Sequence, residues 1–384
     1  MIALDFEFSV EQEQLRESVA RYLDAHAPLA WVRERYAEPR GTTDEVWRGL
    51  ADLGATGLLV PESCGGAGMG MVDAAVVLEE LGRVVHPGPY ASSAIGAASI
   101  VVLGGDERDQ AAFLRGIADG STVATIALFE SERRAQWRAA RTTARIEGES
   151  WRLDGTKVHV PDLVGAQLAL VAATADDGLG VFAAALDAPG IESTPEATVD
   201  GSRKRGILRL DGAPALRIGD GDASDALAAT VDRMGAASVV EAVGTAARAL
   251  EISLEYAKQR QQFGVPIGSF QAVQHLCADM LRAVELARAA GYYACWACDA
   301  ADPFERHRAV TMALAFATDE LYRVGASAVQ VHGGIGYTWE HDVHLFYKRL
   351  LTLQETGGGA VDQLEELAAI VLAGSGDGSG DSEA

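Results

Sequence analysis

The stretch YAKQRQQFGVPIGSFQAVQHLCADM, from Tyr256 to Met280, joins two long helical patterns and decides the architecture of the last third of the chain. Residues 225–260 form one long run with apolar residues at helical spacing, residues 270–300 form a second, and residues 307–333 form a third. Helices of this length and apolar content bury their apolar faces by packing against each other in an antiparallel bundle. We therefore predict an antiparallel four-helix bundle over residues 226–372.

The beginning of the chain is also helical in pattern and is predicted to form an N-terminal helical domain at residues 1–120. Ser9 followed by Gln12 is typical of a capping box, in which each side chain satisfies a free backbone N–H at the start of a helix. Val19 and Leu23 then recur at helical spacing. The sequence therefore predicts that the first helix begins just after Ser9.

The pattern changes between residues 121 and 225. Short apolar runs such as TVATIALFE, AQLALVAAT and GVFAAAL alternate with the turn dipeptides DG and PG. Runs of this length with such punctuation predict short antiparallel strands. We therefore predict an α+β fold, mainly α, with a middle antiparallel β-domain at residues 121–225. The final residues, 373–384, are dominated by Gly, Ser and acidic residues and are predicted to form a disordered tail, because they offer nothing to bury.

Composition limits the classes of partner. The 384 residues carry a formal net charge of −23, which argues against nucleic acid because no basic surplus is available to replace phosphate counterions. No apolar run reaches the roughly 18 residues of a membrane helix, and the N-terminus lacks the basic and apolar segments of a signal peptide. We expect a soluble cytoplasmic protein with neither a nucleic-acid nor a membrane partner.

Two groups of residue types that can bind metals or act in redox chemistry have simpler interpretations. Cys295 and Cys298 have CxxC spacing, but they lie within a helical run and are predicted to be buried small side chains. His332, His341 and His344 are close in sequence, but nothing else supplies matched ligands. We predict packing or surface histidines there, and no metal site.

Four features together resemble the acyl-CoA dehydrogenase family. They are the segment Trp47–Gly70 with the EELGR that follows it, the segment Tyr256–Met280, the segment Gln330–Asp342, and the order of helical, β- and helical domains. The resemblance covers about residues 5–370 and implies removal of two hydrogens across the α and β carbons of an acyl-CoA thioester. In this family FAD carries the redox chemistry, and a carboxylate within hydrogen-bonding reach takes the α proton.

The resemblance implies that the RQQFG segment contacts FAD bound to a neighbouring subunit, through Arg260 and Phe263. A guanidinium suits a pyrophosphate through paired hydrogen bonds, and an aromatic ring can flank a flat cofactor group. Without the surrounding motif, Arg260 would be interpreted as a solvated arginine at a helix end.

Four further residues match cofactor contacts of the family. Gln271 matches a glutamine on the adenine side, while Gln330, Gly333 and Gly334 match a loop that runs along the cofactor. Glycine in such a loop lets the backbone approach the ligand closely. The same residues also fit a tight turn that ends a helix, and the two interpretations are compatible.

The sequence departs from the family where the flavin ring would be held. The family's TEPxAGSD segment corresponds to IALFESERRAQW at residues 126–137, which lacks the Gly-Ser-Asp. Its WITN strand corresponds to KVHVPD at Lys157–Asp162, which lacks both the Trp and the hydroxyl donor. The resemblance therefore implies weakened flavin contacts within this chain.

This sequence also has no carboxylate at the positions where members of the family carry their proton-accepting residue. In many members it is a Glu after the GGxGY segment, and an ungapped count places Gly357 there, with Glu355 two residues earlier. Other members place it on the long helix before RxxFG, where this chain has Met234. The next carboxylate, Glu241, lies seven residues on, which is about 10 Å along a helix. Glu355 and Glu241 are therefore weak candidates, and Glu241 also fits a polar residue at a subunit contact.

Three hypotheses remain open. In the first, the chain is similar to the non-catalytic subunits of actinobacterial heterotetrameric acyl-CoA dehydrogenases, several of which act on steroid side-chain CoA thioesters. It would complete FAD sites of a homologous catalytic subunit in an α2β2 complex, with an acyl-CoA substrate and an acceptor similar to electron-transfer flavoprotein. In the second, it is self-sufficient and uses Glu355 or Glu241 as base. In the third, it is a non-redox binding or scaffold protein.

Overall fold

The structure is a computed structural model that describes residues 8–130, 137–148, 150–354 and 359–376, without the side chains of 373–376.

The capping box is confirmed, because Gln12 N–H donates to Ser9 Oγ at 3.2 Å and Ser9 N–H donates to Gln12 Oε1 at 3.0 Å. A π-helical segment at Tyr90–Ala97 runs directly into α5. The N-terminal helices are α1 (Val10–His26), α2 (Leu29–Arg35), α3 (Asp44–Asp52), α4 (Met71–Arg83), α5 (Ala98–Gly104) and α6 (Glu107–Ala118).

The middle region is a small β-barrel. Its strands are β1 (Ala124–Ala127), β2 (Thr143–Glu147), β3 (Ser150–Pro161), β4 (Leu168–Ala175), β5 (Gly178–Ala185), β6 (Ile191–Glu196) and β7 (Arg205–Ile218). Pairing in the order β4-β2-β3-β7-β5-β4 closes a ring, while β1 adds to β4 and β6 adds to β7. Among the described strands, β1 and β2 pair with β4 in parallel and the other pairings are antiparallel.

Five apolar runs predicted the strands that carry the barrel core, but β2 and β6 carry no such signal. Both are largely exposed along their length, so neither needs a run of apolar residues. Their backbone hydrogen bonds to β3 and β7 specify them instead. Such pairing partners are distant in sequence and leave no local pattern.

The C-terminal region is the predicted helical bundle. Helices α7 to α10 pack against one another, and α11 packs on α9. The two cysteines of the CxxC spacing are buried on α8, as predicted. Within the described residues, no helix combines the length and the apolar content that crossing a membrane would require. The elements are α7 (Ser224–Gln259), the hairpin β8 (Gln261–Gln262) and β9 (Val265–Pro266), α8 (Gln271–Ala300), α9 (Pro303–His332), α10 (Val343–Gln354) and α11 (Ala360–Gly376).

A close crossing of α4 and α7 joins the N-terminal helices to the bundle. A Cβ added at Gly82 on α4 would overlap the carbonyl oxygen of Glu241 on α7. Reciprocally, a Cβ at Gly244 would overlap the carbonyl oxygen of Glu79. The Thr245 hydroxyl spans the crossing and donates to the Gly82 carbonyl at 3.0 Å. The two backbones can approach this closely only because both positions are glycine.

We expect Gly244→Ala to lower the stability of the protein. In a helix interior this change normally favours the helix by about 1 kcal/mol, but here the methyl group must push α4 and α7 apart, at a cost of about 1–3 kcal/mol. The midpoint of denaturant unfolding should fall. Gly334→Ala is the control, since its Cβ would meet nothing within 4 Å. A stabilised Gly244→Ala variant would show that the crossing is not tight.

Candidate functional site

A cavity of about 690 Å³ lies between the barrel and the helical bundle. Leu128, Val158 and Arg203 contribute to its barrel side, and Met234 and Glu241 to its α7 side. Its volume is in the range that encloses a small organic ligand. The structure thus brings together the two barrel segments that depart from the family and the helix positions considered for a base.

Glu241 is buried in this cavity wall and holds two cations. Its Oε1 accepts from Arg349 Nη1 and its Oε2 accepts from Arg203 Nη2, both in close contacts, and the residue is 4% exposed. The contacts described for Glu241 are therefore all within the same chain, and its interpretation as a residue at a subunit contact stays a prediction. Each oxygen of this carboxylate accepts from a guanidinium group, so the side chain is held in the wall by both arginines.

Arg349 on α10 is the most extensively bonded group of the site. Its Nε donates to Asp200 Oδ2 at 3.0 Å, and its Nη2 donates to Ser202 Oγ at 2.8 Å. The same nitrogen lies 3.1 Å from the carbonyl oxygens of Val85 and His86. Arg349 is 4% exposed, so these acceptors replace the water that burial removes.

The positions predicted for a base are thus placed as follows. Met234 lines the cavity and has no group that accepts a proton at neutral pH. Glu355 and Gly357 lie outside the described residues. Thr352 and Leu353 at the end of α10 line the cavity.

The charged side chains of the barrel wall form ion pairs with each other. Glu130 accepts from Lys157 Nζ at 2.8 Å and from the N–H of Thr142 at 2.9 Å, and the Lys157 side chain is fully buried. Burial by itself would raise the pKa of Glu130, but these hydrogen bonds outweigh it and lower the pKa to about 2. His159 pairs with Glu196 at 2.8 Å. These groups are already partnered, and residues 131–136 lie outside the described part of the chain.

Asp162 closes the end of β3 beside the cavity. Its Oδ2 accepts from the Ser92 hydroxyl at 2.7 Å, and it lines the cavity together with Ser92 and Arg203. Burial raises the pKa of Asp162 to about 6, against the opposing effects of the Ser92 hydrogen bond and the Arg203 charge. A carboxyl group in such a site titrates near neutrality.

The predicted cofactor residues lie at the opposite end of α7. The Tyr256 ring stacks on His332, with ring centroids 4.5 Å apart, so the end of α7 and the end of α9 lie side by side. Arg260 follows α7, and Phe263 at the tip of the hairpin is 92% exposed. Gln271 begins α8 at the same end.

The glycine turn after α9 completes this exposed end of the bundle. Gln330, Gly333 and Gly334 are exposed, and a Cβ at either glycine would meet nothing within 4 Å. A flat ligand can therefore approach this backbone directly. Along α7, Arg260 lies roughly 28 Å from Glu241 at 1.5 Å per residue. The structure groups the six residues predicted to contact the cofactor together and separates them from the cavity of the same chain.

Sequence reasoning missed the network of Arg349, Asp200 and Arg203. An arginine within the apolar helical run LFYKRLL was a signal, since burial of such a residue demands carboxylate partners. It also missed His307 at the cavity edge, where Nδ1 lies 2.8 Å from Asp232 and Nε2 lies 3.0 Å from Glu366.

Comparisons with known proteins agree with this architecture. The family profile described as "Acyl-CoA dehydrogenase, N-terminal domain" matches residues 9–121, and "Acyl-CoA dehydrogenase, C-terminal domain" matches residues 226–372. Acyl-CoA dehydrogenase IpdE2 of Mycobacterium tuberculosis is 33% identical over 341 residues, which cover 88% of this chain and 90% of that protein.

Two solved assemblies are similar in structure. A chain of the Tcur3481–Tcur3483 steroid ACAD is 33% identical with a TM-score of 0.87, and the match covers 95% of this chain and 99% of that one. A chain of the ChsE4–ChsE5 complex from Mycobacterium tuberculosis is 30% identical with a TM-score of 0.88, covering 96% and 99%.

We expect Arg349→Met to destabilise the protein by about 3–5 kcal/mol, because it leaves the buried carboxylates of Glu241 and Asp200 short of a cation. Arg323→Met is the control, since Arg323 pairs with Asp319 on the exposed surface of α9, where such a pair contributes about 0.5 kcal/mol or less. Equilibrium unfolding of both variants measures the difference. Equal losses would contradict a structural role for the Arg349 network.

Asp162 should make stability depend on pH between about 4 and 6. Its folded pKa is raised to about 6 from an ordinary 3.8, so the folded state retains a proton that the unfolded chain releases. Stability therefore falls as pH rises through this window, by at most roughly 3 kcal/mol. Asp162→Asn should remove this fall and be more stable than the parent at pH 7.

The measurement is the unfolding free energy of parent and variant from pH 4 to pH 7. Ser92→Ala is the companion variant. It removes a hydrogen bond that favours the charged carboxylate, so the fall in stability should extend to higher pH. Parallel pH curves for parent and Asp162→Asn would contradict the assignment.

Proposed function

The chain belongs to the acyl-CoA dehydrogenase family, and we propose that within it the chain is a subunit that completes the FAD sites of a homologous catalytic partner in an α2β2 complex. The complex would carry out α,β-dehydrogenation of an acyl-CoA thioester. The family's activity is that of an FAD-dependent oxidoreductase. What we add is that one chain supplies FAD contacts and the other supplies the base.

One observation carries the proposal. The six residues matched to family cofactor contacts are exposed at one end of the bundle, roughly 28 Å along α7 from the cavity of their own chain. Side chains placed there serve a cofactor that another chain positions. Arg260 supplies a guanidinium that can bind phosphate oxygens, and Phe263 supplies an aromatic ring that is 92% exposed.

The residues of this exposed end fit FAD. Gly333 has a φ of 62° that favours glycine, and the open surface over Gly333 and Gly334 accepts a ligand against the backbone. The chain's own barrel wall fits the flavin less well, because Glu130 and Lys157 are bound to each other. When bound, FAD supplies the acceptor for the β hydrogen that leaves as hydride.

Neither position considered for a base on α7 supplies an available carboxylate to the cavity. Met234 stands at one family base position, and Glu241 is held by Arg203 and Arg349. Movement of Glu241 toward a substrate would break its contacts with both arginines. This supports a partner that brings the base.

A self-sufficient dehydrogenase is the second candidate, because Glu241 does line the cavity and Glu355 remains a possible base from the sequence. In that case the lone chain would bind FAD and oxidise an acyl-CoA. The third candidate, a scaffold protein without redox chemistry, would contain no flavin even in the presence of its partner.

The similar assemblies support a two-chain enzyme and suggest the substrate class. Both the Tcur3481–Tcur3483 steroid ACAD and the ChsE4–ChsE5 complex are named by two different components. We extend this to the present chain as a partnership with a homologous subunit and a steroid-type acyl-CoA substrate. An acceptor similar to electron-transfer flavoprotein would reoxidise the flavin.

The proposal is tested by expressing the chain alone and together with a homologous subunit that carries the family's Glu base. The lone chain should contain no FAD, and the complex should contain FAD and oxidise an acyl-CoA. Arg260→Gln should weaken FAD binding by the complex about tenfold or more, because a charge-assisted hydrogen bond is lost. Flavin absorbance and FAD titration measure both effects.

Arg145→Gln provides the control, since Arg145 is an exposed arginine on β2, away from the bundle. It should leave FAD binding unchanged. Full FAD occupancy and acyl-CoA oxidation by the lone chain would contradict the proposal. Glu241→Gln and Glu355→Gln would then identify the base of a self-sufficient enzyme, and a flavin-free complex would favour the scaffold.

A further inference from the structure

The side chain of His307 joins three helices of the bundle. It belongs to α9, and its Nδ1 lies 2.8 Å from Oδ1 of Asp232 on α7. Its Nε2 lies 3.0 Å from Oε1 of Glu366 on α11. Ionised carboxylates accept hydrogen bonds and have no proton to donate, so each contact needs its own proton. A neutral imidazole ring carries only one, and the two contacts together therefore fit a protonated, positively charged His307.

The inner contact of His307 is fixed in position. Asp232 is 4% exposed, and its second oxygen accepts from Arg306 Nε at 2.8 Å. The hydrogen bond with Asp232 raises the pKa of His307 above its ordinary 6.5, against the opposing effect of burial. The outer contact is different, because the Glu366 side chain is 51% exposed and can exchange His307 for water.

The other ionisable groups of the helices around His307 are neutral, bonded elsewhere or exposed. Burial raises the pKa of the Cys298 thiol on α8 to about 12, so this thiol is uncharged near neutral pH. The charged groups bonded elsewhere are Arg233 with Asp299, Glu305 with Arg308, and Arg349 of α10 with Glu241 and Asp200, while the exposed acids of α11 are Asp362 and Glu365. The contact between α9 and α11 therefore responds to pH through His307.

Helix α11 is lightly held. It packs on α9, and among its described side chains only Gln363 is buried. A helix that buries so little depends strongly on its polar contacts and opens at a low free-energy cost. Gln363 and Glu366 also line the cavity, as His307 does. Helix α11 is thus a part of the cavity wall that is attached partly through a contact that requires a proton.

We propose that His307 is a pH-dependent latch that holds α11 against the bundle and so closes one side of the cavity. The protonated ring joins Asp232 and Glu366. When the ring loses a proton, only one of the two contacts keeps its hydrogen bond. Asp232 is the partner that stays, because it is buried and bonded to Arg306. Loss of the proton therefore frees α11 and leaves α7 and α9 joined.

The direction of the pH response follows from the raised pKa of His307. The folded protein binds this proton more tightly than a free side chain does, so the contact is fully present below pH 6.5. It is lost as pH rises through the higher folded pKa. Helix α11 should therefore be docked at mildly acidic pH and loosened at alkaline pH.

Amide hydrogen exchange of the full-length chain between pH 6 and pH 9 tests the latch. The effect of pH on intrinsic exchange is divided out, and interior amides of α7 serve as the reference for opening of the whole chain. Relative to them, protection of α11 should fall about threefold to fivefold as pH rises, which is the size expected for a partly exposed ion pair.

Two variants identify the members of the latch. His307→Gln has no ionisable ring, and in Glu366→Gln the amide can donate to a neutral ring or accept from a charged one. Both should make α11 protection independent of pH over this range. Glu365→Gln is the matched control, since Glu365 is the exposed neighbour on the same helix, and it should keep the parent's response.

Glu366 is an exposed residue, so Glu366→Gln is expected to fold and decides the outcome if His307→Gln does not; circular dichroism checks each variant. Protection of α11 that does not change with pH in the parent would overturn the proposal. So would a parental pH response that persists in Glu366→Gln. Neither FAD nor a partner subunit enters these measurements, so the latch and the proposed function succeed or fail separately.

Discussion

The guanidinium group of Arg349 is the point at which the three parts of the molecule meet. From α10 it bonds Glu241 of α7, Asp200 and Ser202 of the loop between β6 and β7, and the carbonyl oxygen of Val85 behind α4. A buried cation is tolerated only when such partners surround it, so the group stabilises the relative placement of helical domains and barrel. Val85 even adopts a left-handed φ of 46°, rare for a β-branched residue, in the segment that presents this carbonyl.

The same network explains how an acyl-CoA dehydrogenase fold can retain its cavity without a free base on α7. The backbone carbonyl oxygen of Glu241 packs directly against Gly82 of α4. Its side-chain carboxylate accepts hydrogen bonds from Arg203 and Arg349. Both functions are architectural, and the second requires the carboxylate to stay in place between Arg203 and Arg349. A general base must instead exchange its proton during each turnover. The chemistry of the site and the cohesion of the fold thus make opposite demands on one residue.

The sequence was informative where structure is local or strongly periodic. Helices α7 to α9, the Ser9 cap and the buried cysteines follow from spacing and from side-chain chemistry within a few residues. The network was not predictable in this way, since Arg349 and Glu241 are 108 residues apart. Each lies in an apolar helical run, which indicates burial, but no local pattern identifies its partner. The six predicted cofactor positions come from motifs, but their separation from the cavity required the length and direction of α7.

The Phe263 turn has a mechanical consequence. A non-glycine residue with a φ of 53° is held there by the short pairing of β8 with β9, which presents the aromatic ring at 92% exposure. Such a conformation costs on the order of 1–3 kcal/mol and is already adopted in the isolated chain. A surface that receives this ring therefore meets a rigid, preorganised projection and loses little conformational entropy in ordering it. The affinity of such a contact then depends mainly on how well the receiving surface fits the Phe263 ring.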